Sequence, residues 1–436
     1  MFRKLHGKSM LHNFSSLITA NLAYKVFSFV MLIVIARFLG VREFGKLSYG
    51  LSFVWIFLFL ADMGLHDSFV RDVSRDRTLF NKYVNNIFAL KIVIGAINYL
   101  LIVLIAFFAP SLKANFFLIL ILGASVISDS FVYFFRMIFR IAETMHYEAV
   151  LMVVEAIIKI SAVLLLINLR PFGGRVTVVA AALLGASLIN FALNLAVFLF
   201  NCRSLELSAD WRFWIKLLKT AYPFTLIALF GLLNFRVDIL FLSIKRGDFE
   251  TGLFSADFRL LEQLLLIPIT FSAAVLPVFS RLSRSQEEFK RTVKKIFYPY
   301  IITGISLTIM LYLFARQIIT AIYGGQYIYA TQSLNLLALV LVPFFIKILL
   351  EKILLSLGRQ GMVCLIYLGG SVMNIALNSI LTQRFGVSGA SFSTFASEAC
   401  VVIFCLFISR RAMGASLLHH EQLNIEQNAV IKEISY

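Results

Sequence analysis

Charge is scarce in this sequence. Asp, Glu, Lys and Arg make up 14% of its 436 residues, where a soluble globular chain carries about 25%. With 60% of the residues apolar, this shortage excludes soluble and disordered classes alike. Cysteine is also sparse. Of the four, Cys364, Cys400 and Cys405 sit inside apolar runs and Cys202 ends another, so a secreted disulfide framework is excluded. The apolar runs lack two-residue alternation, which excludes an outer-membrane barrel. None of the six histidines falls mid-run, leaving no histidine–acid relay and no metal-ligand cluster. No small-residue cleavage site follows the first run, Phe14 to Ala36, so that run reads as a retained span rather than a leader.

What remains is long hydrophobic stretches, and they describe an all-α polytopic membrane protein. At roughly 20 apolar residues per span, the composition could fill at most about thirteen helices. Twelve spans are expected, near 14–36, 47–65, 87–109, 115–139, 147–169 and 176–200, then 223–244, 253–279, 297–319, 334–357, 361–382 and 388–409. With both termini in the cytoplasm, 24 of the 40 Lys and Arg residues fall in inner segments, ten in outer segments and six within spans. This bias sets the orientation in a cell (inner) membrane. It also accounts for most of the net charge of +17, so no nucleic-acid partner is expected.

The chain reads as an old duplication. Gly40-x4-Gly45-x2-Ser48 recurs as Gly247-x4-Gly252-x2-Ser255, an offset of 207, and Gly185-Ala186-Ser187 recurs as Gly389-Ala390-Ser391, an offset of 204. The expected organisation is an N-terminal six-helix lobe (1–200), a cytoplasmic interfacial linker (201–222), a C-terminal six-helix lobe (223–410) and a cytoplasmic tail (411–436). Six spans per half relate the lobes by a pseudo-two-fold axis along the membrane normal. In the linker, Arg212, Lys216 and Lys219 share one helical face, opposite Trp211, Trp214, Ile215 and Leu218. That pattern suits a helix lying on the inner leaflet. Ser285-x-x-Glu288 is a capping box opening a short basic helix at the inner surface.

With Arg136 and Lys352 counted in the adjoining inner segments and Arg316 in an outer one, since all three lie near span ends, six basic residues lie within spans: Lys25, Lys91, Lys159, Arg236, Arg259 and Lys347. Lys91 and Arg259 are near enough to span ends to snorkel. The other four would cost about 12 kcal/mol facing lipid, at roughly 3 kcal/mol each, so they should face partners or water inside the bundle. Glu155 and Lys159 stand at i,i+4, as do Lys347 and Glu351, so an internal ion pair is the plain reading for each. Lys25, with Asn21 one turn before it, and Arg236 have no carboxylate on their own helix face. A cation from each half suits an anion, of which pyrophosphate is favoured. The competing reading pairs them with Asp62, Asp257, Glu262 or Glu398 from other helices. Gly40-x4-Gly45-Lys46 imitates a phosphate loop, but Leu47 stands where that loop needs Ser or Thr, and the segment is expected outside.

Several motifs carry a family resemblance. Ala36-Arg37-Phe38-Leu39-Gly40 with Glu43-Phe44-Gly45, Asp62-Met63-Gly64-Leu65, Tyr323-Gly324-Gly325-Gln326-Tyr327 and Gly386-Val387-Ser388-Gly389-Ala390 resemble the helix ends and outer loops of polysaccharide-transport members of the multidrug/oligosaccharidyl-lipid/polysaccharide exporter superfamily. The resemblance covers essentially the whole chain. It implies two six-helix lobes forming a V, alternating access without ATP, and a lipid-linked oligosaccharide on undecaprenyl pyrophosphate or a similar carrier. Lys25 falls where related lipid II flippases carry an arginine, though lysine lacks its bidentate geometry. The two extra C-terminal helices of those relatives are not in this sequence, which favours an O-antigen or capsule-type repeat unit as cargo.

The expected site is therefore Lys25, Arg236 and Asn21, joined by Lys159, Arg259 and Lys347, holding pyrophosphate and glycan. No catalytic residue, metal or cofactor is expected. A coupling proton or sodium ion would act through Asp238, Asp257 or Glu262. Membrane lipids, a polysaccharide polymerase and glycosyltransferases are the expected partners. The alternative in the same superfamily is a proton- or sodium-coupled multidrug/organic-cation antiporter, which would want an acidic, aromatic cavity. A membrane glycosyltransferase would want an acidic motif in a large outer loop, and the outer connections here are short, the longest, 320–333, having 14 residues.

Overall fold

In the computed structural model the backbone is described for residues 10–65, 69–70, 72–73, 76–169, 174–201, 206–282 and 285–434. Every regular element among them is helical, as a chain with no water to satisfy its backbone in the bilayer core requires. The helices are α1 Met10–Ile56, α2 Leu58–Asp62, α3 Phe80–Phe108, α4 Phe116–Ile141, α5 Met145–Leu169, α6 Arg175–Asn201 and α7 Trp211–Arg246. They continue with α8 Asp248–Leu282, α9 Gln286–Leu313, α10 Ala315–Tyr323, α11 Thr331–Ala338, α12 Leu341–Ser356 and α13 Gln360–Ile434. From Trp211 onward the expected interfacial linker is part of α7. The tail backbone continues α13 to Ile434.

Among the described residues, eight helices are long and apolar enough to cross a membrane, or nine if the bent pair Gly325–Ala338 and Leu341–Ser356 makes one span. Twelve spans were expected; the expected seventh, 223–244, lies on α7 and is not among those counted, and two of the counted helices each take up two expected spans. Thr19–Asp62 and Gln360–Ile408 run 44 and 49 residues, about twice the length needed for one crossing. Each contains a glycine with positive φ where two expected spans meet: Gly40 (φ 74°) and Gly386 (φ 58°). Only glycine adopts such a conformation without strain, so the helix direction can break there.

Two inner-surface helices expected from the sequence are not separate elements. Trp211 to Lys219 begins α7, capped by the Asp210 carboxylate, which accepts from the Phe213 N–H at 3.1 Å, and the helix runs on over residues 223–244, where the seventh span was expected. Trp214 does not face lipid. It is buried with Leu217 in an aromatic core around Phe134, Phe135, Phe139 and Phe198, while Trp211 stays exposed. Similarly, Ser285 occupies the N-cap of α9, but its side chain makes no capping bond, and the helix continues into the ninth span.

The chain forms two compact units, Met1–Ser255 with Thr320–Tyr327, and Ala256–Ile319 with Ile328–Tyr436. The first has the aromatic core just described. The second packs Phe279, Phe289, Tyr300, Phe345, Leu349 and Ile353 into its own core. There the Tyr300 hydroxyl donates to the Pro268 carbonyl at 3.1 Å. Large apolar side chains also remain exposed in stripes, such as Ile97, Leu100 and Leu104 on α3. A lipid solvent makes such a surface stable.

Candidate functional site

The first unit holds a buried ionic network between α1, α4 and α5. Glu155 on α5 accepts from Lys159 Nζ at 2.7 Å, from the Tyr24 hydroxyl at 3.0 Å and from Arg136 on α4. Lys159 also holds Asp129 on α4 at 3.1 Å. Arg136 lies over the Tyr24 ring, 5.8 Å from its centroid. The Glu155–Lys159 pair read from i,i+4 spacing is therefore present, but within a larger set. Asp129 and Arg136 were missed. Arg136 had been assigned to an inner segment, yet it is buried. The spacing Asp129, Tyr133, Arg136 along one face of α4 is the signal that would have found them. With two cations and two carboxylates the network is neutral, so Lys159 already has its counter-charges.

Lys25 is different. It sits half-buried on α1 beside Tyr24, and among the described residues it makes no hydrogen bond or ion pair. Asn21, one turn earlier, donates to the Leu17 carbonyl at 2.8 Å, which leaves its side-chain oxygen available as an acceptor. Arg236 on α7 is buried in the same unit, its guanidinium 4.3 Å from the Trp55 ring centroid. A cation over an indole face is held without losing its positive charge. Asp238 on the same helix is fully buried.

Lys91 does not snorkel. It is buried, donates to the Ala61 carbonyl at 2.9 Å and approaches Asp62 at 3.6 Å. Asp62 thus serves Lys91.

In the second unit Arg259, also expected to snorkel, is buried and bonded to Glu262 at 2.8 Å. Asp257 accepts from the Ser333 hydroxyl. Lys347 does not take Glu351. Its ammonium reaches across to Glu398 on α13 at 2.7 Å, while Glu351 holds Lys352 at 2.8 Å and the Tyr367 hydroxyl at 2.9 Å. Same-helix spacing misled here because α12 turns Lys347 toward α13. Lys347 also lies 4.2 Å from the Phe344 ring centroid.

Comparison with known proteins places the chain. The family model described as polysaccharide biosynthesis protein matches residues 10–283, well over half of the sequence. The chain belongs to the polysaccharide biosynthesis protein family. A second model, lipid II flippase MurJ, matches residues 149–431 of the chain. A putative O-antigen transporter of Shigella dysenteriae is 28% identical over 194 residues, 43% of this chain. The match spans 48% of that relative, about half its length.

Among solved structures, an inward-facing multidrug resistance MATE family transporter of the MOP superfamily superposes with a TM-score of 0.74 at 15% identity, covering 90% of this chain and 95% of the other. Lipid II flippase MurJ in an inward closed conformation gives 0.70 at 15% identity, covering 91% and 88%. The shared fold is that of the superfamily anticipated from the motifs.

Proposed function

We propose that this protein is a flippase. It carries a polyprenyl-pyrophosphate-linked oligosaccharide, an O-antigen or capsule-type repeat unit, from the inner to the outer leaflet by alternating access. The observation that carries the reading is Lys25. It is a half-buried ammonium on a spanning helix, and no described residue neutralises it. By contrast Lys159, Arg259 and Lys347 each hold a carboxylate. A buried or half-buried cation without a counter-charge is costly in a membrane. A pyrophosphate that arrives with the cargo supplies that counter-charge at the moment of binding.

Arg236 joins Lys25 in this role, and Asn21 offers an acceptor to glycan hydroxyls. Lys159, Arg259 and Lys347 contribute only when their carboxylates give way. A proton or sodium ion coupled through Asp238, Asp257 or Glu262 would drive the cycle. The polyprenyl tail stays in the surrounding lipid, both termini face the cytoplasm, and glycosyltransferases and a polymerase act before and after translocation. No bond is made or broken. The two lobes of the expected layout rock about the bound head group.

The second reading, an ion-coupled organic-cation antiporter, draws on the MATE fold likeness. An organic cation would meet repulsion at Lys25, which favours the first reading. Binding separates them. A short-chain polyprenyl pyrophosphate should raise the melting temperature of the wild type in detergent. Lys25→Ala should weaken that effect about tenfold or more, the loss expected for a charge-assisted contact to phosphate. Equal stabilisation of both proteins removes Lys25 from the site. Stabilisation by organic cations alone favours the antiporter.

A further inference from the structure

The duplicated glycine motif has a geometric counterpart. Gly40 and Gly247, equivalent at the 207-residue offset, adopt the same unusual backbone, φ 74°, ψ 172° and φ 84°, ψ −177°. One residue on, Val41 and Asp248 are again equivalent, as are Gly45 and Gly252 five residues on. The contacts are reciprocal. A Cβ added to Gly45 would overlap the Asp248 carbonyl oxygen, and one added to Gly252 would overlap the Val41 carbonyl oxygen. The two repeats therefore cross at a local two-fold, backbone against backbone, at a separation that only glycine permits. Ser48 and Ser255, which end the motif, are both fully buried.

A third segment clasps the same place. Arg37 Nε donates to the Ile322 carbonyl at 2.7 Å, and its Nη2 donates to that of Ala321. The Tyr327 hydroxyl donates to the Ala36 carbonyl at 3.0 Å, and Gln326 Nε2 to that of Arg37 at 3.3 Å. Phe44 meets the Tyr327 ring edge-on at 6.3 Å between centroids. All these residues lie in the first compact unit.

We propose that the crossed glycine repeats and the Tyr323–Tyr327 loop form a closure on the extracytoplasmic side of the transport path, and that Gly45 and Gly252 are the residues on which its closed state depends. The side on which it lies rests on the flippase reading and its topology. Alternating access requires one side shut while the other is open, and a crossing without side chains between the backbones can be re-formed on every cycle at low steric cost. The clasp then sets how readily it opens. Arg37 is exposed and gives up its two carbonyls to water, whereas the glycine crossing separates as a unit because each half blocks the other.

The test needs no cargo. In a background without native cysteines, Ser48→Cys and Ser255→Cys are labelled separately with a membrane-impermeant maleimide added outside. Both should react slowly. Gly45→Ala should raise the rate at both positions by about tenfold, and Gly252→Ala should do the same, as overpacking at a close crossing shifts the balance toward the open state. Gly369→Ala, whose added Cβ meets nothing within 4 Å, should change neither. Arg37→Gln loosens the clasp without touching the crossing and should raise both rates by a smaller factor, which keeps the test decisive if a glycine variant fails to fold.

A response confined to the position next to each substitution would mark a local disturbance and overturn the closure. So would unchanged labelling in folded Gly45→Ala and Arg37→Gln. Coupled labelling with no movement of any lipid-linked glycan would sustain the closure and sink the flippase. Glycan movement with uncoupled labelling would do the reverse.

Discussion

Removing either member of the Lys347–Glu398 pair should destabilise the second unit strongly. Both side chains are 3–4% exposed and lie 2.7 Å apart, so their attraction is about 6 kcal/mol at an effective dielectric of about 20. Lys347→Met buries the Glu398 carboxylate without its ammonium counter-charge, and Glu398→Gln leaves the buried ammonium without its carboxylate. Each should cost about 3–5 kcal/mol, the usual loss on breaking a buried pair. The double variant removes both charges and should recover about 2 kcal/mol or more of the summed single losses. Glu351→Gln should cost less than about 1 kcal/mol, because its partner Lys352 is part-exposed and such pairs contribute little. The assay is equilibrium unfolding in mixed micelles, followed by circular dichroism. Tryptophan fluorescence is unsuitable, since Trp55, Trp211 and Trp214 all lie in the first unit. Additive single losses, or a Glu351→Gln loss equal to that of Glu398→Gln, would refute the assignment of Glu398 as the partner.

Three further outcomes are expected. Lys91→Met should cost about 1–3 kcal/mol rather than the negligible amount a snorkelling lysine would lose. Part of the cost is spared because Ser130 Oγ also donates to the Ala61 carbonyl, at 3.3 Å, and the same unfolding assay reads it. Trp214→Ala should cost about 3–5 kcal/mol by opening the aromatic core, whereas exposed Trp211→Ala should cost under about 0.5 kcal/mol. Similar losses for the two would return Trp214 to the membrane surface. Arg136→Met should destabilise by about 3–5 kcal/mol, because Lys159 is then the one cation facing both Glu155 and Asp129 in this network, and Arg136→Lys should recover part of it; no loss would place Arg136 outside the network.

Much of the fold was legible because hydrophobic run length is a one-dimensional property. The breaks at Gly40 and Gly386 fall between runs that had already been separated by composition. Glu155 and Lys159 were legible for the same reason, since i,i+4 spacing is a same-helix fact. Partners on other helices were not. Lys347 chose Glu398 over Glu351, Arg259 was buried beside Glu262, and Asp129 and Arg136 joined a network that no spacing along α5 could announce. Charge position along a span also misled for Lys91, because closeness to a span end says nothing about which way the side chain faces. The 207-residue repeat was visible in the sequence, but not that its glycines touch.

The central claim is that the chain moves lipid-linked glycan and that Lys25 meets its pyrophosphate. The most direct measurement is transbilayer movement of a polyprenyl-pyrophosphate oligosaccharide in proteoliposomes containing wild type, Lys25→Ala or Lys25→Arg. Wild-type movement, lost in Lys25→Ala and retained in Lys25→Arg with all three proteins folded, is the predicted result. Movement undiminished in Lys25→Ala would contradict the role given to Lys25. No movement of any glycan, with efflux of an organic cation against a proton or sodium gradient, would contradict the flippase itself.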